Sequence, residues 1–355
     1  MKAAILPLLL AGLGLGCGLF GEPATLPLSP LAAGPSPASF GEFHASDYPS
    51  LPLGADGTFR ILVLADIQVG LQPFMDAAGF RQIRELAALT EPDFILSLGD
   101  NSVGPFAPGA AKSFAALLGS LGRPWGTVLG NHDAEGPRPR SWYGELYARA
   151  KGSLFSPGPA SIHGVGNWVL RLVDGGGRDA FALVMLDSGE YRNYPGGRRY
   201  YDYIHPDQIS WYEWLVQGLS GGEGLSRGQG SRPLPTLLAF HIPLPQMSAA
   251  VEAFHRDGRG AADRGFAREA PCPPLEDSCL FARVKRLGST SEILSGHDHL
   301  NNISLLVEGI RLTYGTKTGP SSYHAADLLG GTLVTVYPTA AGYASRSEAI
   351  ILPAR

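Results

Sequence analysis

Three short apolar runs, at residues 59–65, 94–98 and 125–129, most constrain what this chain can fold into. Each is too short for a helix, and runs of this length bounded by turn residues read as buried strands. All three end abruptly in polar residues: Asp66-Ile67-Gln68, Gly99-Asp100-Asn101 and Gly130-Asn131-His132-Asp133. After the first run, Phe80, Ile83, Leu86 and Ala87 recur at helical spacing, and a second helix is expected near residues 111–121. Strand, helix, strand, helix, strand is the rhythm of parallel βαβ units. Open sheets of that kind bind ligands beyond the carboxyl ends of their strands. One aspartate at such a place can be a turn residue or a helix cap; three in series call for another explanation.

The same junction recurs downstream. Residues 291–295 read as a strand running into Gly296-His297-Asp298-His299, and residues 236–240 as one ending in His241-Ile242-Pro243. Neutral imidazole is the commonest transition-metal ligand. Alone, His-x-His is weak evidence; beside the upstream aspartates it completes a set of metal donors. Between these blocks, residues 167–173 and 180–186 read as a hairpin followed by Asp187-Ser188. Residues 206–219 form an amphipathic helix with Ile209, Tyr212 and Leu215, and residues 220–235 a Gly/Ser/Arg-rich loop. Residues 303–307 and 310–314 suggest a second hairpin, and 331–337 and 349–352 further sheet.

The N-terminus stands apart from this pattern. After Lys2, residues 3–20 are apolar, which matches a secretory signal over residues 1–20. An uncleaved membrane anchor is the alternative, disfavoured by Gly12, Gly14, Gly16 and Gly18. Cys17 resembles a lipoprotein acceptor and would provide a membrane tether, although Gly14 stands where such sites carry Leu. The expectation is an exported protein: periplasmic, secreted or lipid-anchored at the cell surface. Pro23, Pro27, Pro30, Pro35 and Pro37 mark residues 21–57 as a linker or arm before a domain over residues 58–355. Cys272 and Cys279 close a short loop and are expected to form a disulfide, with two thiols as the alternative. A net charge of −4 gives no reason to expect a nucleic-acid partner, and a monomer is expected.

Taken in order, Asp66-x-Gln68, Gly99-Asp100, Gly130-Asn131-His132-Asp133, His241 and Gly296-His297-Asp298-His299 resemble the blocks of calcineurin-like metallophosphoesterases. Leu186-Asp187-Ser188, Gln208-x-x-Trp211, Phe240-His241-Ile242-Pro243 and Cys279-Leu280-Phe281 are similar to the single-domain, purple-acid-phosphatase-like branch. The resemblance spans residues 59–352. It implies a four-layer α/β fold, two packed mixed β-sheets flanked by helices, with a two-metal centre at the strand ends. It further implies that Asp66, Gln68, Asp100 and His299 hold a first metal. Asp100 would bridge to a second, completed by Asn131, His241 and His297. His132 would lie beside the phosphate, with Asp133 as its orienting partner.

Carboxylate, amide and imidazole donors suit divalent or trivalent manganese, iron or zinc. Two such ions can lower the pKa of a bridging water and orient it in line with phosphorus. The expected activity is therefore hydrolysis of phosphomonoesters or phosphodiesters, on a small-molecule or polymeric substrate. His132 would stabilise charge or protonate the leaving oxygen. The alternative is a metal-binding pseudoenzyme, or a surface protein that binds a phosphate ligand with impaired chemistry. Gln68, which stands where most relatives carry His, motivates it; Val103 stands where purple phosphatases carry their colour-giving Tyr and bears on metal identity. Tyr191, Arg192, Tyr194, Arg198, Arg199, Tyr200 and Tyr201 form an aromatic and basic patch. It reads equally as a recognition surface or as a solvated loop with packed tyrosines, and Tyr323-His324 could likewise line the pocket.

Overall fold

The computed structural model describes residues 34–221 and 232–353. The signal-like segment, Cys17 and most of the Gly/Ser/Arg-rich loop lie outside the described residues. The chain opens with β1 (Ser50–Pro52) and then builds the expected unit: β2 (Phe59–Leu64), α1 (Pro73–Thr90), β3 (Phe94–Ser97), α2 (Ala107–Ser120) and β4 (Trp125–Thr127). α1 starts on Pro73, which suits a first turn because it has no N–H to leave unpaired. Its buried residues Gly79, Ile83, Leu86 and Thr90 repeat at helical spacing, and it ends where Glu91 turns left-handed.

α3 (Arg140–Ala148), β5 (Trp168–Val173) and β6 (Asp179–Met185) come next, followed by a small hairpin of β7 (Tyr191–Asn193) and β8 (Arg199–Tyr201). The remainder is α4 (Pro206–Gly221), β9 (Thr236–Ala239), α5 (Pro245–Asp257), α6 (Leu280–Leu287), β10 (Thr290–Ser295), β11 (Ser304–Val307) and β12 (Ile310–Tyr314). Two long antiparallel strands, β13 (Gly330–Thr339) and β14 (Gly342–Ile351), end the fold.

These strands form two main sheets. One has the order β14-β13-β2-β3-β4, the other β1-β5-β6-β9-β10-β12-β11. Both are mixed: β2, β3 and β4 run parallel, as do β6, β9, β10 and β12. Side chains alternate across the second sheet as strand geometry demands. Leu170, Leu172, Phe181, Leu183, Met185, Leu237 and Ala239 enter one core with β2, β3, β13 and helices α1 to α3. Val169, Ala182, Val184, Leu238 and Phe240 face the other way, into a second core with α4, α5 and α6. Helices, sheet, sheet and helices thus make the four layers that the resemblance implies.

Two expectations are corrected here. The arm read over residues 21–57 is packed structure over its described part. β1 pairs in parallel with β5, and the rings of Phe40 and Phe43 lie 5.8 and 5.6 Å from that of Trp214 on α4. The prolines mask these aromatic anchors in a composition-based reading. The Cys272–Cys279 disulfide does not form either, because Cys279 is a free, exposed thiol. Cys272 is buried with its N–H on Asp298 Oδ2 at 3.2 Å, whereas Cys279 precedes α6 in a left-handed conformation at the surface.

Candidate metal centre

The strand ends of both sheets converge on one place. Asp66, Asp100 and Asn131 follow β2, β3 and β4, whose pairing Leu64↔Ser97 and Ser97↔Thr127 keeps their ends level. His241 follows β9, and His297 and His299 follow β10, level through Ala239↔Leu294. The turns there are unusual. Asp66, Gln68, Asp100 and His297 have φ of 55°, 49°, 48° and 82°, half of the eight non-glycine residues with positive φ among the described residues. Such conformations cost about 1–3 kcal/mol each and persist where surrounding structure imposes them. The glycines preceding the donors are there for space. A Cβ on Gly99 would lie 2.6 Å from Gly130 N, and one on Gly130 would lie 2.1 Å from Asp100 Oδ1.

Two donor groups result, and Asp100 belongs to both. Asp100, His241 and His297 offer one atom each within 4.8 Å of one another, and so do Asp66, Asp100 and His299. His241 Nε2 lies 3.3 Å from Asp100 Oδ2, 3.0 Å from Asn131 Oδ1 and 3.3 Å from His297 Nδ1. His299 Nε2 lies 3.6 Å from Asp66 Oδ1. The outer nitrogens of two rings are anchored: His241 Nδ1 donates to Leu98 O at 2.8 Å and His299 Nδ1 to Tyr323 O at 2.9 Å. Backbone acceptors of this kind fix a histidine's tautomer and aim its other nitrogen at a metal.

The donor chemistry fits a pair of cations. Asp66, Asp100, Asn131, His241, His297 and His299 are all buried. Asn131 Oδ1, Asp100 Oδ2 and His297 Nδ1 all crowd His241 Nε2, which has at most one N–H to share, and buried His297 Nε2 has no hydrogen-bond partner among the described residues. The electrostatics agree. Burial pushes Asp66 and Asp100 upward, yet the imidazoles His299 and His241 hold Asp66 below the usual carboxylate range, and His241 and His132 hold Asp100 well below it. Burial lowers His241, but Asp100 and Asp66 override it and raise its pKa to about 9. His297, buried beside His241, is pushed down to about 3. The carboxylates therefore draw positive charge onto the cluster.

Gln68 is present at the centre, but its observed contact is as a donor: Nε2 donates to Asp100 Oδ2 at 3.1 Å. His132 is at the rim. Its backbone N–H donates to Asp100 Oδ1 at 2.8 Å, and its Nε2 is 3.9 Å from Asp100 Oδ2. Asp133 does not orient His132, contrary to expectation. Its carboxylate accepts the N–H groups of Asn101, Ser102 and Gly130 at 2.9, 3.0 and 2.8 Å, tying together the loops after β3 and β4. Burial and the nearby Asp100 raise its pKa to about 6. The partner of His132 is Glu135, whose Oε1 is 2.6 Å from Nδ1. Burial would lower the His132 pKa; Asp100 and Glu135 outweigh that and raise it to about 9.

Other supporting residues escaped the sequence reading. Lys317, buried in the loop after β12, donates from Nζ to Asp66 O at 2.5 Å and so braces its left-handed turn. Burial lowers its pKa to about 8 despite the pull of Asp66 and Asp100. Arg140 grips Gly130 O at 2.8 Å and Leu129 O at 3.0 Å while paired with buried Asp187 at 2.5 Å. Asp298 turns away from the centre and accepts the Tyr314 hydroxyl at 2.5 Å. Tyr323, by contrast, was already read as a residue that could line the pocket, and it stacks on His299 with ring centroids 4.1 Å apart. The only sequence signal of the others was position: each lies in or beside a loop that follows a strand or carries a donor.

Known proteins show the same organisation. The calcineurin-like phosphoesterase family model matches residues 59–301. The chain is 27% identical over 311 residues to "Probable inactive purple acid phosphatase 14" of Arabidopsis thaliana, covering 79% of this chain and 74% of that protein. It is 26% identical over 278 residues to "Phosphatase DCR2" of Saccharomyces cerevisiae, covering 70% of this chain and 45% of that one. Its fold is similar to that of a dimetal phosphatase from Danio rerio, with a TM-score of 0.50 and 12% identity over 79% of this chain and 92% of the other. With the family match extending from β2 to the loop after β10, the chain belongs to the calcineurin-like phosphoesterase family.

Proposed function

We propose that the protein hydrolyses phosphoric esters with two metal ions held by Asp66, Gln68, Asp100, Asn131, His241, His297 and His299. The observation that carries this reading is Asp100 shared between two buried donor groups, with His132 poised at the same carboxylate. When bound, two manganese, iron or zinc ions would supply Lewis acidity and acidify water at neutral pH. The chain's own residues do the rest. Glu135 holds His132 through Nδ1, leaving Nε2 to give a proton to the departing oxygen. Asp133, Arg140 and Lys317 fix the loops that present the donors. The signal-like residues 1–20 support export, and no helix among the described residues is long and apolar enough to cross a membrane.

A second reading, a metal-binding protein without turnover, is favoured by the Gln68 amide donating to Asp100 where a ligand nitrogen would be expected. The printed name of its Arabidopsis relative points the same way. Turnover of 4-nitrophenyl phosphate and bis(4-nitrophenyl) phosphate by the Mn²⁺-reconstituted protein, with metal content measured in parallel, separates them. Hydrolysis of either ester supports the first reading. Stoichiometric metal with no release of nitrophenol from either supports the second.

A further inference from the structure

The β7–β8 hairpin has two faces, and only one of them is used up by the fold. Its register pairs Tyr191 with Tyr201, Arg192 with Tyr200 and Asn193 with Arg199. Strand alternation then puts Tyr191, Tyr201, Asn193 and Arg199 on one face, and Arg192 and Tyr200 on the other. The second face is structural. Tyr194, Tyr200 and Leu275 form a small apolar cluster. Arg192 lies over the rings of Tyr194 and Tyr203 and pairs with Asp202 at 3.9 Å and Glu276 at 3.8 Å. That arginine's charge is already answered.

The first face is turned to the metal centre. The Tyr201 ring stands edge-on to His297, with centroids 4.4 Å apart. The Tyr191 hydroxyl accepts a hydrogen bond from Asn131 Nδ2 at 3.1 Å. Arg199 sits over the Tyr191 ring, its guanidinium carbon 4.4 Å from the ring centroid. Arg199 is exposed and has no carboxylate partner among the described residues. A guanidinium held flat on an aromatic ring keeps its edge donors available for an oxyanion. It is linked to the candidate metal ligand Asn131 through one ring and one hydrogen bond.

We propose that Tyr191 and Arg199 form a subsite for a second anionic group, so that the favoured substrates are phosphate esters whose organic part carries another carboxylate or phosphate. This assignment rests on the phosphoesterase reading, and it is tested through binding as well as turnover. The probes are benzylphosphonate and 4-carboxybenzylphosphonate, which share the phosphonate and differ in one carboxylate. Calorimetric Kd values are measured on Mn²⁺-reconstituted wild type, Arg199→Gln and, as a control on the other face, Arg198→Gln. A charge-assisted bond at an exposed site supports an expected preference of about tenfold for the carboxylated ligand in wild type. The preference is expected to persist in Arg198→Gln and to collapse to about onefold in Arg199→Gln.

Equal Kd values for the two ligands in wild type overturn the subsite. So does an Arg199→Gln variant that weakens both ligands by the same factor, which would place Arg199 on the scissile phosphate. Turnover of 4-nitrophenyl phosphate, run on the same samples, tells the failures apart. With turnover intact, equal Kd values sink only the subsite; with neither turnover nor binding, the phosphoesterase reading falls with it.

Discussion

Removing the charge of Glu135 while keeping its shape should move the basic limb of the activity profile. Glu135 Oε1 is 2.6 Å from His132 Nδ1, close enough that the carboxylate both orients the ring and stabilises its protonated form. Glu135→Gln leaves an oxygen acceptor in place and deletes the anion. The side chains are 18% and 32% exposed, so water screens much of the attraction. Exposed pairs contribute about 0.2–1 kcal/mol, and a short contact to a largely covered imidazole belongs at the upper end. At about 1.36 kcal/mol per pH unit, this predicts a shift of somewhat under one unit. The sign follows from the acid role. His132 acts protonated, its pKa is raised to about 9, and activity falls as pH climbs through that value. Losing the anion lowers the pKa, so the basic limb of kcat moves to lower pH. The assay is kcat against pH with 4-nitrophenyl phosphate, with metal content measured at each pH. His132→Ala should abolish the limb and lower kcat by about 10²–10⁴-fold with metal retained. A limb that stays where it was in Glu135→Gln, with full metal occupancy, would refute the pairing as a catalytic device.

Further outcomes concern the scaffold and the ligands. Gly130→Ala places a Cβ 2.1 Å from Asp100 Oδ1, so metal content by plasma emission should drop sharply. Overpacking should also cost about 1–3 kcal/mol in urea unfolding. Glu292 is buried under the hydroxyls of Thr313, Ser345 and Ser347, and burial raises its pKa despite those donors. The folded state therefore holds the proton more tightly than the unfolded chain, and stability falls as pH rises from the ordinary glutamate range through the raised value. Glu292→Gln should remove that slope; parallel urea midpoints for both proteins across the range would contradict it. Native alkylation should label Cys279, and Cys279→Ser should leave the melting temperature unchanged. Gln68→His should tighten the first metal site by about tenfold; unchanged titrations would mean that position 68 is not a ligand.

What could be seen in the sequence was whatever had a short-range physical cause. β2, β3 and β9 were legible because buried parallel strands need near-continuous apolar runs. The donors were legible because each directly follows such a run. α3, α5 and α6 were not expected: each begins near prolines, glycines or polar turns that read locally as loop. For a related reason, Asp133 was given the role that Glu135 plays. Adjacency along the chain suggested Asp133 as the partner of His132, but in the turn Asp133 faces backbone N–H groups and the third residue on reaches the ring. Lys317 and Arg140 support the centre from 251 and 10 residues away, through backbone carbonyls that carry no sequence signature. The aromatic and basic patch could be read two ways because it is both things, one on each face of a hairpin whose register only the fold reveals.

The absence of an imidazole at position 68 and of a phenol at position 103 bears on metal identity more than on whether a centre exists. Val103 is buried, and its N–H pairs with Val69 O at 3.0 Å, so that position helps hold two loops parallel and offers no donor atom to a metal. A ferric ion loses its usual support there, while manganese, zinc or ferrous iron does not. Gln68, for its part, shares the left-handed backbone of Asp66 and Asp100 and touches the shared carboxylate. Backbone strain at Asp66, Gln68, Asp100 and His297 amounts to several kcal/mol if each costs about 1–3 kcal/mol. The strands end before these residues, although Ile67 and Val69 of the first turn are themselves buried in the core. Lys317, Arg140 and Asp133 are buried polar groups whose bonds go to these same turns. A chain that had given up the centre could relax the turns and replace such groups with apolar ones at no loss of stability. This one retains the strained turns, their braces and His132 with its carboxylate partner, the set of groups that the proposed hydrolysis would use.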